Sequence, residues 1–87
     1  MIEMIIVYVL KSISEKYHYI GHTKDLKSRL KLHNKGRVRA SKSHRPYKLI
    51  YVENFFDTGD AIRRERFLKR GEGNIWLRNK LMKSNLW

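Results

Sequence analysis

Residues 5–10 form an unbroken apolar run, rich in isoleucine and valine. A strand whose successive side chains are all apolar is covered on both faces, so this run predicts a central strand. Residues 11–16 are polar and turn-like. Residues 17–21 predict a second short strand rich in aromatics. A connection of about five residues suits an antiparallel hairpin between the two.

Thr23 or Asp25 can cap a helix that follows. Leu26 and Leu30, four apart, give it a buried stripe that His33 continues, and Asn34 and Gly36 supply its stop signal. Residues 37–45 read as a basic loop in which only Val38 and Ala40 are apolar. Pro46 ends the loop, and residues 47–53 predict a third strand. Asp57 or Thr58 caps a second helix over residues 59–70, with Ala61, Ile62 and Leu68 inward and Arg63, Arg66 and Arg70 outward. Gly71 and Gly73 should break it. A last helix then runs over about residues 75–85, with Ile75, Leu81 and Met82 inward and Trp76 as an aromatic anchor. The order β-β-α-β-α-α predicts an α+β fold, a three-stranded antiparallel sheet flanked by helices.

Composition narrows the function classes. With 87 residues, the chain reads as one domain over 1–87. It has no cysteine, which excludes a disulfide framework and a thiolate metal site, so any metal would be held by oxygen or imidazole. The early apolar run is too short to span a bilayer and has no small-residue cleavage site behind it, so no membrane role and a cytoplasmic location are expected. The formal net charge of +12 attracts polyanions, with nucleic acid first among the candidate partners. Lys24, Lys27, Arg37, Arg39, Lys42 and Arg45 fall in a stretch whose only acid is Asp25. Such an unbalanced segment favours phosphate contact over base readout.

Glu65 is the most informative candidate for chemistry. It lies three residues after Ile62 and three before Leu68, in the middle of the apolar face of its helix. A carboxylate there requires a partner. From position alone, an ion pair with an arginine and a metal ligand both fit, and the ion pair is the commoner case. Carboxylate oxygen suits Mg2+ or Mn2+. Arg29 and His33 are four apart and share a helix face beside Leu26 and Leu30, where a guanidinium could present its fork to a phosphate. Tyr8 and Tyr19 lie on the two strands of the proposed hairpin. Each alone reads as core packing, but beside a carboxylate and an arginine a tyrosine can act as a general base.

In order and spacing these residues resemble the GIY-YIG nuclease superfamily. The pattern runs through Val7-Tyr8-Val9, Tyr19-Ile20-Gly21, the segment from Thr23 to Leu30, His33-Asn34-Lys35-Gly36, Arg45-Pro46, Leu49-Ile50-Tyr51, Ala61 to Glu65 and Leu68-Lys69. The chain looks most like the stand-alone, single-domain members and is similar to the nuclease domain of the excision-repair incision subunit. The resemblance implies a metal-dependent DNA endonuclease. Glu65 would hold one Mg2+ or Mn2+, and Arg29 would bind the scissile phosphate. Tyr19 or Tyr8 would take the proton from water, His22 would assist the tyrosine, and His33 would be an accessory residue. Lys69 joins the basic residues expected to contact DNA. The first motif keeps its tyrosine but lacks its glycine and isoleucine. A late asparagine is expected, for which Asn74 and Asn79 are the candidates. A targeting protein partner would supply specificity that this chain lacks. The competing readings are a nucleic-acid-binding module without catalysis, and a protein-interaction domain whose basic face docks an acidic partner.

Overall fold

The computed structural model describes residues 3–87. Strand β1 (Ile5–Ser12) lies between β2 (His18–Thr23) and β3 (Tyr47–Phe55), antiparallel to both. The continuous apolar run is therefore the central strand, as its pattern requires. Its period of two splits the core. Ile5, Val7 and Val9 face one layer, with Ile20, Ile50, Ala61, Leu68, Leu77 and Leu81. Tyr8 and Leu10 face the other, with Tyr47, and Tyr19, Leu26 and Leu30 pack against them. Helices α2 (Thr58–Lys69) and α3 (Gly71–Lys83) cover the first face, and α1 (Leu26–Asn34) covers the second.

The capping signals act as expected. The Asp25 carboxylate accepts from the Ser28 amide at 3.1 Å, and Asp57 accepts from the Asp60 amide at 3.0 Å. Gly36, at φ 75°, closes α1 with two reversed hydrogen bonds, Gly36 N to His33 O at 3.1 Å and Arg37 N to Leu32 O at 2.9 Å. The Asn34 side chain does more than stop the helix. Its Oδ1 accepts from the Tyr47 amide at 2.7 Å and its Nδ2 donates to the Tyr47 carbonyl at 3.3 Å, which clamps the end of α1 to the start of β3.

Three expectations are corrected. The second strand begins at His18, because Tyr17 is used in the turn, where its carbonyl accepts from the Ser12 amide at 2.9 Å. The last helix starts at Gly71 rather than Ile75. The chain breaks at Arg70 (φ −155°, ψ 167°), and Gly73 belongs to the helix. A Cβ on Gly73 would sit 1.9 Å from the Phe67 carbonyl oxygen, so this glycine allows the start of α3 to press onto the end of α2. The inward face of α3 is consequently Gly73, Leu77 and Leu81. Ile75, Met82 and Trp76 are exposed. Trp76 still anchors an outer cluster, with the Arg64 guanidinium 5.0 Å from its ring and Tyr51 edge-on to it.

Candidate active site

The α1 face of the sheet positions the two tyrosines. Tyr8 pairs with Gly21 and Leu10 with Tyr19, so both phenols lie on the same face, diagonally across the hairpin. Their ring centroids are 6.2 Å apart. Gly21 makes this possible. A Cβ there would stand 2.8 Å from the Tyr8 hydroxyl and 2.9 Å from the Tyr19 ring.

Behind Tyr8 lies a buried polar chain. Its hydroxyl is 2.7 Å from His33 Nε2, and His33 Nδ1 is 2.6 Å from Ser41 Oγ. Ser41 Oγ–H has its own acceptor in the Val38 carbonyl at 3.4 Å. Burial, with the Arg29 charge behind it, pushes His33 down to about 4, so the ring is neutral and has a single N–H. The network therefore assigns that proton to Nδ1, donating to Ser41, and leaves Nε2 to accept from Tyr8. Burial is also the main cause that pushes the Tyr8 phenol up to about 12. His33 and Ser41 are both fully buried. Ser41 was not visible as a site residue in the sequence, because a serine in a basic loop carries no periodic signal.

Arg29 projects from α1 beside both phenols. Their proximity, Tyr8 first, raises its already high pKa and so favours the guanidinium. The Tyr8 hydroxyl and, more weakly, the Tyr19 hydroxyl engage the guanidinium, while its Nε is buried without a partner among the described residues. A buried unsatisfied donor costs about 1–3 kcal/mol.

Glu65 comes from α2, on the other side of the edge strand β2. Its neighbour Arg64 fixes the rotation of that helix by a two-pronged pair with Glu53, at 2.7 and 3.0 Å, and Tyr51 also donates to Glu53. The arginine pair expected as one reading of Glu65 is thus made by Arg64 with Glu53. Glu65 instead places Oε1 2.6 Å from His22 Nδ1 and Oε2 2.8 Å from Lys69 Nζ. The Glu65 side chain is 15% exposed and that of His22 37%. Burial works against the charged carboxyl, but the Lys69 and His22 contacts outweigh it and hold the group below the usual carboxylate range. Its charge is also felt at Tyr8. Tyr8, Tyr19, Arg29 and His33 thus come together on the α1 face, while His22 and Glu65 pair with each other beside α2, in direct contact with none of the four. Among the described residues no group of three or more His, Cys, Asp or Glu side chains converges.

The basic residues expected to contact DNA lie on exposed surface. Lys24, Lys27, Arg37, Arg39, Lys42 and Arg45 are all exposed. Lys24 pairs with Glu3 at 2.9 Å, an exposed contact. Arg45 is already employed. Its guanidinium lies over Gly36 and donates to the Lys42 carbonyl at 3.1 Å. Residues 37–45 are pinned rather than loose: the Tyr47 hydroxyl donates to the Ser41 carbonyl at 2.6 Å, and the His44 ring stacks on Tyr17 at 3.9 Å. Of the two late asparagines, Asn74 borders a pocket of about 280 Å³ with Tyr19 and Lys69. Asn79 lies on the outer face of α3 beside Trp76. No helix among the described residues is long and apolar enough to cross a membrane.

Comparison with known proteins agrees with this fold. A UPF0213 protein of Streptococcus pneumoniae is 38% identical over 65 residues, covering 74% of this chain and 65% of the relative. UPF0213 protein YazA of Bacillus subtilis is 36% identical over 64 residues, covering 72% and 64%. The chain therefore spans just under two thirds of the length of these relatives, whose names state no activity. The solution NMR structure of a UPF0213 protein from Bacillus halodurans shares the fold with a TM-score of 0.53 at 24% identity, over 90% of this chain and 84% of that one. Residues 4–80 match the GIY-YIG catalytic domain. The chain therefore belongs to the GIY-YIG family.

Proposed function

We propose that this chain is a metal-dependent DNA endonuclease domain that hydrolyses phosphodiester bonds. The single observation that carries the reading is the cluster of two phenols and a guanidinium on one face of the sheet, with the His22-bound Glu65 carboxylate near enough for its charge to act on Tyr8.

Glu65 suits Mg2+ or Mn2+. His22 Nδ1–H orients Oε1, and Oε2 faces only a surface ammonium. These hard cations accept a single protein carboxylate and complete their shell with water and phosphate oxygens. When bound, the ion supplies Lewis-acid polarisation of the phosphoryl group and charge stabilisation at the leaving oxygen.

The chain's own residues do the rest. Lys24, Lys27, Arg37, Arg39, Lys42 and Lys69 attract and hold the DNA backbone. Arg29 binds the scissile phosphate and offsets the charge that grows on it. The proton of Tyr8 is committed to His33, and its phenol is buried. Tyr8 is therefore a positioning residue that supports Arg29. Tyr19 is less buried, and its hydroxyl lies beside the Arg29 guanidinium, which it engages more weakly than Tyr8 does. Acting as phenolate, Tyr19 takes a proton from water while the water oxygen attacks phosphorus in line. The P–O3′ bond breaks and its electron pair leaves with the 3′ oxygen.

A binding module without catalysis is the second reading, favoured by the fact that His22 and Lys69 already satisfy both Glu65 oxygens. Supercoiled plasmid incubated with Mg2+ or Mn2+ separates the two. The wild type should nick it. Arg29→Ala and Glu65→Ala should lose about 10²-fold or more, with DNA binding retained in Glu65→Ala. Absence of nicking by wild type with either ion removes the enzyme reading, and full activity in Glu65→Ala removes Glu65 from the site.

A further inference from the structure

Lys69 sits at the last turn of α2, four residues after Glu65, and its ammonium is on Oε2, the carboxylate oxygen that His22 leaves free. A cation cannot take Oε2 while the ammonium holds it. The side chain of Lys69 is 47% exposed and also borders the pocket shared with Tyr19 and Asn74. Its flexible stem can therefore move its charge from the carboxylate to that pocket without disturbing the helix.

We infer that Lys69 is an exchangeable counterion: it neutralises Glu65 in the free protein, is displaced by the divalent cation, and then takes a backbone phosphate of the nucleic acid beside Tyr19. This inference rests on reading Glu65 as the metal ligand. It makes Lys69 a positioning residue that couples the two ligands. A cation on Glu65 frees an ammonium for phosphate, and a phosphate that draws the ammonium away frees Oε2 for the cation. Each ligand then raises the affinity for the other by the same factor. The free protein binds metal weakly, and the site is loaded where DNA is present.

Two further observations support the exchange. Asn74 Nδ2 is bound to the Leu68 carbonyl at 3.0 Å, which leaves its Oδ1 as the only polar end it offers to the pocket. A carbonyl oxygen there can receive the displaced ammonium beside a phosphate. The Lys69 contact also differs from the Arg64–Glu53 pair of the same helix. Arg64 holds Glu53 with two donors in a fixed fork, whereas Lys69 is a point charge held by one contact, the geometry that exchanges more readily.

Mn2+ binding to the whole chain, read from the electron paramagnetic resonance of the free ion, tests the exchange. It is measured with and without a short duplex carrying phosphorothioate linkages, which slow cleavage. Lys69→Gln should bind Mn2+ about two- to tenfold more tightly than wild type in the absence of DNA. The gain that DNA brings should be smaller in Lys69→Gln than in wild type, and Lys69→Arg should return both values toward wild type. Equal or weaker Mn2+ binding by Lys69→Gln, with Glu65→Gln abolishing it, overturns the exchange and leaves the metal-ligand reading of Glu65 standing. Undiminished Mn2+ binding in Glu65→Gln overturns both. Circular dichroism on each variant confirms that a change in binding is not a change in folding.

Discussion

Tyr8 and Tyr19 carry the same functional group on paired strands, yet their surroundings give them different work. Tyr8 is buried and donates to a neutral imidazole, while Tyr19 is partly open and stands beside a guanidinium. Tyr19→Phe should therefore abolish cleavage, a loss of about 10²-fold or more for a general base, while leaving DNA affinity near wild type. Tyr8→Phe should cleave more slowly but measurably, and it should lower stability by about 1–3 kcal/mol because His33 Nε2 is left without a donor. Single-turnover cleavage and urea unfolding of the two variants check this pair. If Tyr8→Phe is the inactive one, the assignment of the base is reversed. At this scale the sequence was readable where a residue repeats a spacing. Glu65 stood out because its place on an apolar face is anomalous, and Arg29 and His33 because they are one turn apart. Ser41 and the Glu53–Arg64 fork were hidden, because each joins residues that share no periodicity.

The elements follow from patterning wherever one face of a segment is buried. β1 is central because every one of its side chains has a layer to enter, and α1 ends where Gly36 permits a positive φ. The junction of α2 and α3 was the least legible stretch. Two glycines in three residues ordinarily mark a break, and one of them, Gly71, does take a positive φ of 61°. Gly73 serves contact instead of freedom, and only tertiary packing reveals which role a glycine has. Gly73→Ala should force the helices apart and destabilise the protein by about 1–3 kcal/mol, in the range of an overpacked core. A side chain at Gly71 would meet no atom within 4 Å, but its φ of 61° strains any L residue, so a substitution there acts through the backbone and not through packing. A melting temperature of Gly73→Ala equal to wild type would show that the close approach to Phe67 is not needed.

The whole molecule combines a strong positive charge with histidines that the fold keeps neutral. Burial lowers both His18 and His33 to about 4, from an ordinary value of 6.5. Between those values the unfolded chain binds more protons than the folded one, so stability rises with pH across that window and is lost as pH falls through it. Up to two protons should be taken up on unfolding near pH 5. Below about 4.5, Glu65 and Glu53, whose carboxyls the fold holds down, add loss in the same direction. Urea unfolding from pH 7.5 to 4.5 should show a steady decline, and a flat profile would mean that neither imidazole is buried in its neutral form. The charge itself was plain from composition, and most of it lies on exposed surface. Which cations are free for a ligand was not plain, since Arg45 and Lys69 already have partners inside the protein.

Ser41 is the one member of the 37–45 segment that is fully enclosed, and it faces inward to the imidazole that orders Tyr8. Segment and phenol consequently form a single mechanical unit. Grafting a foreign loop into this stretch would loosen the tyrosine cluster as well, unless the graft kept a small hydroxyl residue at that depth.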